Sequence, residues 1–413
     1  MSQHVLILVE NLSVPFDRRV WQESRALIEA GYQVSVICPM GTKRDTEAQV
    51  VLDGVQIWRY PLAAAKGGPV GYVREYGLAL WHTTRLALKL RRVGRVDVVH
   101  ACNPPDLLFL TALVLRVVDR TRFVFDQHDL CPELFESRFG GRGRWLYWVT
   151  RILERLTYAF ADGVISTNDS YRKIAIERGH VDPANVRVVR SAPDLSRFTP
   201  LDPDPDLLRG KTYLAAYLGV MGPQDGVDYA LRAVAHLRHD IGRDDFHVIF
   251  MGAGDAFDDM VALSHDLGLD DVVEFAGRVS DEFVRQCLST ADVCLSPDPL
   301  NPLNDLSTMN KVVEYMAMAR PVVSFELVEA RVSAGDAAVY VTANDERAFG
   351  EALSELFDDP QRRASMGAAG RARIEAELSW DVSRRNLIDF YRHLFSRASQ
   401  LQGEGSKRDV GRK

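Results

Sequence analysis

The run Ser307-Thr308-Met309-Asn310-Lys311-Val312-Val313-Glu314-Tyr315-Met316-Ala317-Met318-Ala319-Arg320-Pro321-Val322-Val323 is the segment best equipped for chemistry. A polar loop opens a helical pattern, and the helix stops at a proline that starts a buried strand. The first turn of a helix offers N–H groups without intrahelical partners and the positive end of its dipole, which suits a diphosphate. Lys311 adds a point charge. Glu314 lies three residues further on the same face, where a carboxylate can accept two hydrogen bonds from a ribose diol. The same spacing fits an ordinary helix with an i,i+3 ion pair, and the residues alone leave both open.

His128 is the next candidate. A lone histidine after a strand is more often a structural hydrogen-bond partner, but here Asp126, Asp129 and Glu133 surround it. Either aspartate can fix its tautomer. Asp17, Arg18 and Arg19 follow the first strand-like run; Asp17 suits a helix N-cap, and the loop also suits ligand contact. Asn103-Pro104-Pro105-Asp106 is a similar turn with no assigned chemistry. Gly252-Ala253-Gly254 lacks the third glycine of a dinucleotide fingerprint. The Asp-rich run at 202–206 superficially resembles an Asp-x-Asp metal motif, but its prolines and position argue against that, and no catalytic metal is expected.

These residues sit in an alternating pattern of strands and helices. In the first half, Val5–Val9, Gln33–Cys38, Val55–Tyr60, Val96–His100, Arg122–Asp126, Gly163–Thr167 and Val186–Val189 read as strands. Helical patterns separate them, among them Val20–Ala30 and a long basic one from about Tyr72 to Arg92. Residues 199–209 carry three prolines within eight residues and read as a linker. The alternation then restarts with Thr212–Leu218, His247–Phe250, Val272–Phe275, Val293–Ser296, Pro321–Ser324 and Ala338–Val341. Strands separated by helices of this length imply parallel sheets with right-handed crossovers. The expected architecture is α/β, with two Rossmann-like doubly wound domains, residues 1–198 and 210–379, facing a central cleft. An amphipathic helix at 380–398 and an unfolded tail at 399–413 complete the chain. Ligands in such sheets bind beyond the carboxyl ends of the strands.

The 413 residues exceed what one core usually holds, and the net charge of −7 argues against nonspecific nucleic-acid binding. The cysteines (38, 102, 131, 287 and 294) show no Cys-x-x-Cys spacing, so a reducing compartment fits better than a disulfide framework. The longest apolar stretch, about Leu107 to Val118, falls short of the ~20 residues that span a bilayer, and no leader is visible; a cytoplasmic protein is expected. The run from Trp145 to Leu156, preceded by basic residues 138–144, fits either a core helix or one lying at lipid headgroups.

The segment from Ser307 to Val323 resembles the donor-binding signature of glycosyltransferase family 4, retaining enzymes with the GT-B fold. The resemblance runs along nearly the whole chain: Pro15–Val20 with Glu23, Leu27 and Gly31; Phe125–Leu130 with Pro132-Glu133; Val188–Asp194 with Arg197-Phe198; Leu218-Gly219 with Gly222 and Asp225-Gly226; Met251–Gly254; and Phe275–Arg278. It implies an exopolysaccharide or cell-surface glycan branch, with UDP-sugars among the donors such enzymes use. By that resemblance Glu314 binds the ribose hydroxyls, and Asn310, Ser307, Gly222, Arg278, Gly252 and Arg190 join the donor site. His128, Lys311 and Glu133 are the implied catalytic residues, with Asp17, Arg18 and Arg19 on the acceptor side.

The sequence departs from the pattern at three positions. Leu306 stands where the family has its first Glu, so Asn304, Asp305 or Ser307 would have to meet the donor sugar. Val220 and Asp225 stand where many relatives have an Arg and a Lys, so Lys311, Arg278 or Arg190 would have to balance the diphosphate. The implied reaction moves a sugar from a nucleoside diphosphate sugar to a glycan, lipid-linked or small-molecule hydroxyl, without cofactor, and with peripheral membrane contact left open. Two rivals are a nucleotide-sugar epimerase on the same fold and a non-catalytic nucleotide-sugar-binding partner.

Overall fold

The computed structural model describes residues 2–41, 45–63, 68–139, 144–196 and 198–410. Two compact units emerge, one formed by Met1–Arg190 with Ser383–Lys413, the other by Ser191–Val382.

The first unit runs β1 (His4–Leu8), α1 (Arg18–Glu29), β2 (Gln33–Pro39), β3 (Gln49–Leu52), β4 (Val55–Tyr60), α2 (Gly68–Arg91), β5 (Val98–Cys102), α3 (Phe109–Asp119), β6 (Arg122–Gln127), α4 (Cys131–Phe139), α5 (Arg144–Phe160), β7 (Gly163–Ser166), α6 (Asp169–Glu177) and β8 (Val186–Val188). The sheet order is β3-β4-β2-β1-β5-β6-β7-β8. The central strands are nearly continuous apolar runs because helices cover both faces. Among the described strands of this sheet, only β3 is antiparallel. It returns through Asp53-Gly54, both at positive φ (47° and 83°), the conformation that two-residue hairpins require. The all-parallel expectation missed this strand.

The second unit contains β9 (Tyr213–Leu218), α7 (Val227–Ala235), β10 (Phe246–Met251), α8 (Phe257–Asp266), β11 (Val273–Gly277), α9 (Asp281–Thr290), β12 (Val293–Ser296), α10 (Asn310–Ala317), β13 (Val322–Phe325), α11 (Val328–Ala334), β14 (Ala338–Val341), α12 (Glu346–Asp358) and α13 (Pro360–Arg373). Its order, β11-β10-β9-β12-β13-β14, places the reversal of winding between β9 and β12. One core, with Leu231, Phe250 and Phe349, fills one face. A second, with Met251, Tyr315 and Met316, fills the other.

Three boundaries differ from expectation. Ser191–Phe198 belongs to the second unit, where Leu195 and Phe198 pack on its core and the Phe198 carbonyl accepts from Arg371 at 3.1 Å. The proline-rich stretch is docked rather than free. The Leu201 and Asp204 amides donate to Ser289 and Thr290, and Pro205 opens a short 3-10 turn that buries Leu207. Proline is tolerated there because the first N–H of a helical turn has no partner to lose. The final helix, α14 (Trp380–Val410), continues through most of the segment expected to be unfolded. No proline interrupts it, and extending a formed helix costs far less than nucleating one.

Within the first unit α14 is firmly anchored. The Tyr391 hydroxyl meets His100 Nδ1 at 2.8 Å, Asn386 donates to the Val188 carbonyl at 3.1 Å, and Phe390 fills the space over Gly163. Arg122 lies over the Phe395 ring, 4.9 Å from its centroid.

Candidate functional site

The reversal point of the second sheet gathers most of the expected donor-site residues. β9 and β12 pair only through Val293 with Ala215 and Cys294 with Ala216 before diverging. Tyr315 of α10 closes the gap. The Leu218 amide donates to its hydroxyl at 2.8 Å, and the hydroxyl donates to the Leu295 carbonyl at 3.2 Å. This wedge fixes α10, and with it Lys311 and Glu314, at the carboxyl end of the sheet. No side chain caps α10; the Val312 amide of its first turn donates to the Met309 carbonyl at 3.0 Å, and the positive end of the helix dipole is left for an anion.

Lys311 is buried, and its ammonium donates to Asp298 Oδ1 at 2.5 Å over the ring of Tyr217. Burial works to neutralise the lysine, but Asp298 outweighs it and holds the ammonium above its usual range. The lysine therefore adds a charge already balanced by a buried aspartate, not the open cation expected. Asp298 follows β12 between two prolines and carries no sequence motif; it was missed. Glu314 is half-buried, one turn beyond Lys311.

The glycine loops serve chiefly to let backbones meet. A Cβ on Gly226 would lie 2.0 Å from the Pro297 carbonyl oxygen, and one on Gly252 would lie 1.8 Å from that of Gly219. The Gly252 amide donates to the Gly277 carbonyl at 2.8 Å, so it offers nothing to a donor. The Gly222 amide, expected to face a phosphate, instead donates to Asp225 Oδ2 at 2.8 Å. A part-buried amide needs an acceptor, and this loop supplies one from its own sequence in the Asp225 carboxylate. Asn304 is buried and gives its amide hydrogens to the Gln224 and Pro299 carbonyls, clamping the loops rather than reaching a sugar. Asp305 accepts from the Val328 amide at the start of α11, and the Ser307 hydroxyl donates to the Leu303 carbonyl. Asn310 and Arg278 are exposed, the first at the opening of α10 and the second after β11. Arg190 lies in the other unit and pairs with Asp169 at 3.2 Å. Arg197 is outside the described residues.

In the first unit, a buried polar network lies at the carboxyl ends of β5 and β6. Arg19 Nη2 is 2.7 Å from Asp126 and 3.0 Å from Glu23, and its Nη1 donates to the Val189 carbonyl at 2.8 Å. Arg19 is 7% exposed, so it holds the core together and is not the acceptor contact expected. The i, i+4, i+8 spacing of Arg19, Glu23 and Leu27 along α1 turns all three inward. Burial works to raise Asp126, but the Arg19 guanidinium and His128 outweigh it and hold the carboxyl well below its usual range. Burial pushes Glu23 well above its own, more than Arg19 pulls it back.

His128 Nε2 lies 2.5 Å from Asp126 Oδ2 and 3.0 Å from Arg19 Nε. One ring nitrogen cannot donate to the carboxylate and also accept from the guanidinium. The shorter contact with the charged acceptor decides: Nε2 carries the hydrogen, and Arg19 donates to Asp126. Asp126, not Asp129, thus orients the ring, and Nδ1 is the nitrogen left for a ligand, accepting when the ring is neutral and donating when it is protonated. His100, Cys102 and Asp126 have metal-ligating atoms within 4.8 Å of one another. Arg19 already supplies the cation on that carboxylate, so the cluster does not fit a metal.

Glu133 also departs from its expected catalytic role. Arg178 binds both Glu133 and Glu154 in a shared ion triad. Asp17 caps α1, its Oδ1 accepting from the Val20 amide at 3.0 Å, and Arg18 is the exposed residue of the three.

Two family models match the chain: "Glycosyltransferase Family 4" over residues 17–197 and "Glycosyl transferases group 1" over 212–359. A mannosyltransferase of Corynebacterium glutamicum, described as GDP-mannose-dependent and acting on a monoacylated phosphatidylinositol monomannoside, is 30% identical over 209 residues, covering 48% of this chain and 54% of that protein. A D-inositol 3-phosphate glycosyltransferase of Salinispora tropica is 26% identical, covering 58% of this chain and 52% of its own length. The chain thus spans about half the length of the curated relatives it matches. Among solved structures, sucrose-phosphate synthase from Thermosynechococcus elongatus superposes with a TM-score of 0.77 at 18% identity, covering 95% of this chain and 99% of that one. WaaG, a glycosyltransferase of lipopolysaccharide biosynthesis, gives 0.67 at 13%, covering 93% and 98%. At such identities these neighbours speak for the two-domain GT-B fold alone. With both units matched in order by models of one enzyme group, the chain belongs to the family 4, group 1 glycosyltransferases.

Proposed function

We propose that this protein is a retaining glycosyltransferase that moves a sugar from a nucleoside diphosphate sugar to a hydroxyl acceptor in polysaccharide or glycoconjugate assembly. The observation that carries the reading is the placement of α10. Its uncapped start lies at the reversal of the sheet, with Glu314 one turn along it. The helix amides and dipole would meet the diphosphate, and Glu314 would take the ribose hydroxyls. In the transfer, the bond from the anomeric carbon to the diphosphate oxygen breaks. The acceptor oxygen bonds to the same face, and its proton passes to the leaving phosphate. Positioning and stabilisation of the departing charge supply the rate. The start of α10 supplies positive potential, so this reading calls for no metal. His128, oriented by Asp126, would hold a hydroxyl of donor or acceptor through Nδ1. The first unit would receive the acceptor.

The test is calorimetric titration of UDP, GDP, ADP, CDP and TDP, and of their sugars, into the wild type and Glu314→Ala. One nucleotide class should bind the wild type and lose on the order of tenfold in the variant. Absence of binding by every nucleotide would overturn the reading.

The Asp225–Gly222 bond favours a second reading, a donor-binding partner without turnover, because the charge that builds on a departing diphosphate near that loop would meet a carboxylate instead of a cation. Donor binding with neither hydrolysis nor transfer would select it. Release of nucleotide diphosphate that depends on an added acceptor would reject it.

A further inference from the structure

Helix α5 has two unlike faces. Glu154, Thr157 and Tyr158 are buried on one side. On the other, Trp145 (68% exposed), Trp148 (58%), Val149, Ile152 (57%) and Leu156 form a single stripe, at intervals of three and four residues over three turns. Two indoles and an isoleucine left this open are costly in water and do not belong to the core.

The charges that α5 itself sets beside the stripe have one sign. Arg151 and Arg155 lie along one edge of it and form no ion pair among the described residues. The helix has one acidic residue, Glu154, which is buried and bound to Arg178. A chain with a net charge of −7 therefore presents a cationic, aromatic strip here. No helix among the described residues is long and apolar enough to cross a membrane.

We infer that this face of α5 docks on the surface of an anionic lipid bilayer. Trp145 and Trp148 settle at the headgroup level, where amphipathic rings are favoured, and Ile152 and Leu156 enter the acyl boundary. Arg151 and Arg155 reach lipid phosphates from the edge, their stems covering apolar surface. The charge pattern selects this occupant over a second copy of the chain. A symmetric pair would meet the stripe with the same patch, which offers no acid to the arginines.

The test is co-sedimentation of the full chain with vesicles of phosphatidylglycerol and phosphatidylcholine in equal parts, and with phosphatidylcholine alone, together with tryptophan emission. Binding to the anionic vesicles with a blue shift is expected. The pair Trp145→Ser, Trp148→Ser should weaken it on the order of tenfold or more. The pair Arg151→Glu, Arg155→Glu should abolish the preference for anionic vesicles, and added salt should do the same. All four residues are surface side chains, and thermal unfolding of each variant confirms an intact fold. Failure of the wild type to bind anionic vesicles would overturn the inference, as would undiminished binding by the folded tryptophan variant. Sedimentation equilibrium covers the rival occupant: self-association abolished by the tryptophan pair, without vesicle binding, assigns the face to a second copy instead.

Discussion

Arg19→Met tests the reassignment of Arg19 from the acceptor side to the core. The substitution keeps most of the stem but removes the contacts at 2.7 and 3.2 Å to Asp126, 3.0 Å to Glu23 and 2.8 Å to the Val189 carbonyl. Both carboxylates are fully buried, so the cation cannot be replaced by water. Removing one partner of a buried ion pair typically costs about 3–5 kcal/mol. At about 2–4 °C per kcal/mol for a unit of this size, the first melting transition should fall by roughly 6–20 °C. The deficit should also shrink in acid. In the wild type the Asp126 carboxyl titrates below its unfolded value, so its contribution is present above that value and lost as pH falls. Without the guanidinium, burial raises the same carboxyl, and the variant gains stability over the range where the wild type loses it. Differential scanning calorimetry of both proteins across pH measures this directly. A variant that melts with the wild type but binds its acceptor poorly would refute the argument and return Arg19 to the acceptor site.

Gly226→Ala should distort the reversal-point loop, because its Cβ would fall 2.0 Å from the Pro297 carbonyl at a φ of 72°. A loss of about 1–3 kcal/mol in unfolding and loss of donor binding by calorimetry are expected. Lys311→Met strands the buried Asp298 and should cost about 3–5 kcal/mol, and adding Asp298→Asn should recover part of that in denaturant unfolding. Glu10, at the end of β1, is pushed up to about 8 by burial and by Glu75. Between the ordinary carboxylate range and pH 8 the folded state binds a proton that the unfolded state has released. Stability should therefore fall by up to about 1.4 kcal/mol per pH unit as pH rises. Glu10→Gln should remove that slope in urea titrations between pH 5 and 8, and an unchanged slope would place its origin elsewhere.

The strands and their parallel order were legible because both sheets are buried on both faces, which writes them as continuous apolar runs broken by turns. The hairpin at β3 was not, since its strand is half-exposed and lacks such a run; the Asp53-Gly54 pair was its available signal. At the site, Glu314 and Lys311 could be placed on one helix from spacing. The partner of Lys311 could not, because Asp298 comes from a loop thirteen residues away. Arg18 and Arg19 are chemically alike and adjacent, yet one is exposed and the other buried. Only the phase of α1, which turns Arg19 toward Glu23 and Leu27, distinguishes them. Gly222 and Asn304 were assigned to a ligand because sequence shows which groups can donate and not which neighbours already accept.

The first unit draws on both ends of the chain, whereas the second is one continuous segment. On the ribosome, β1 through β8 emerge long before Tyr391 and Phe390. Until those residues arrive, His100 lacks its Tyr391 partner and the sheet face at Gly163 is uncovered. The segment made first thus completes its fold last, and the interior segment can finish ahead of it. A polypeptide released near residue 382 would hold a finished second unit beside an unfinished first one, so the first unit waits on residues 383–395 of α14.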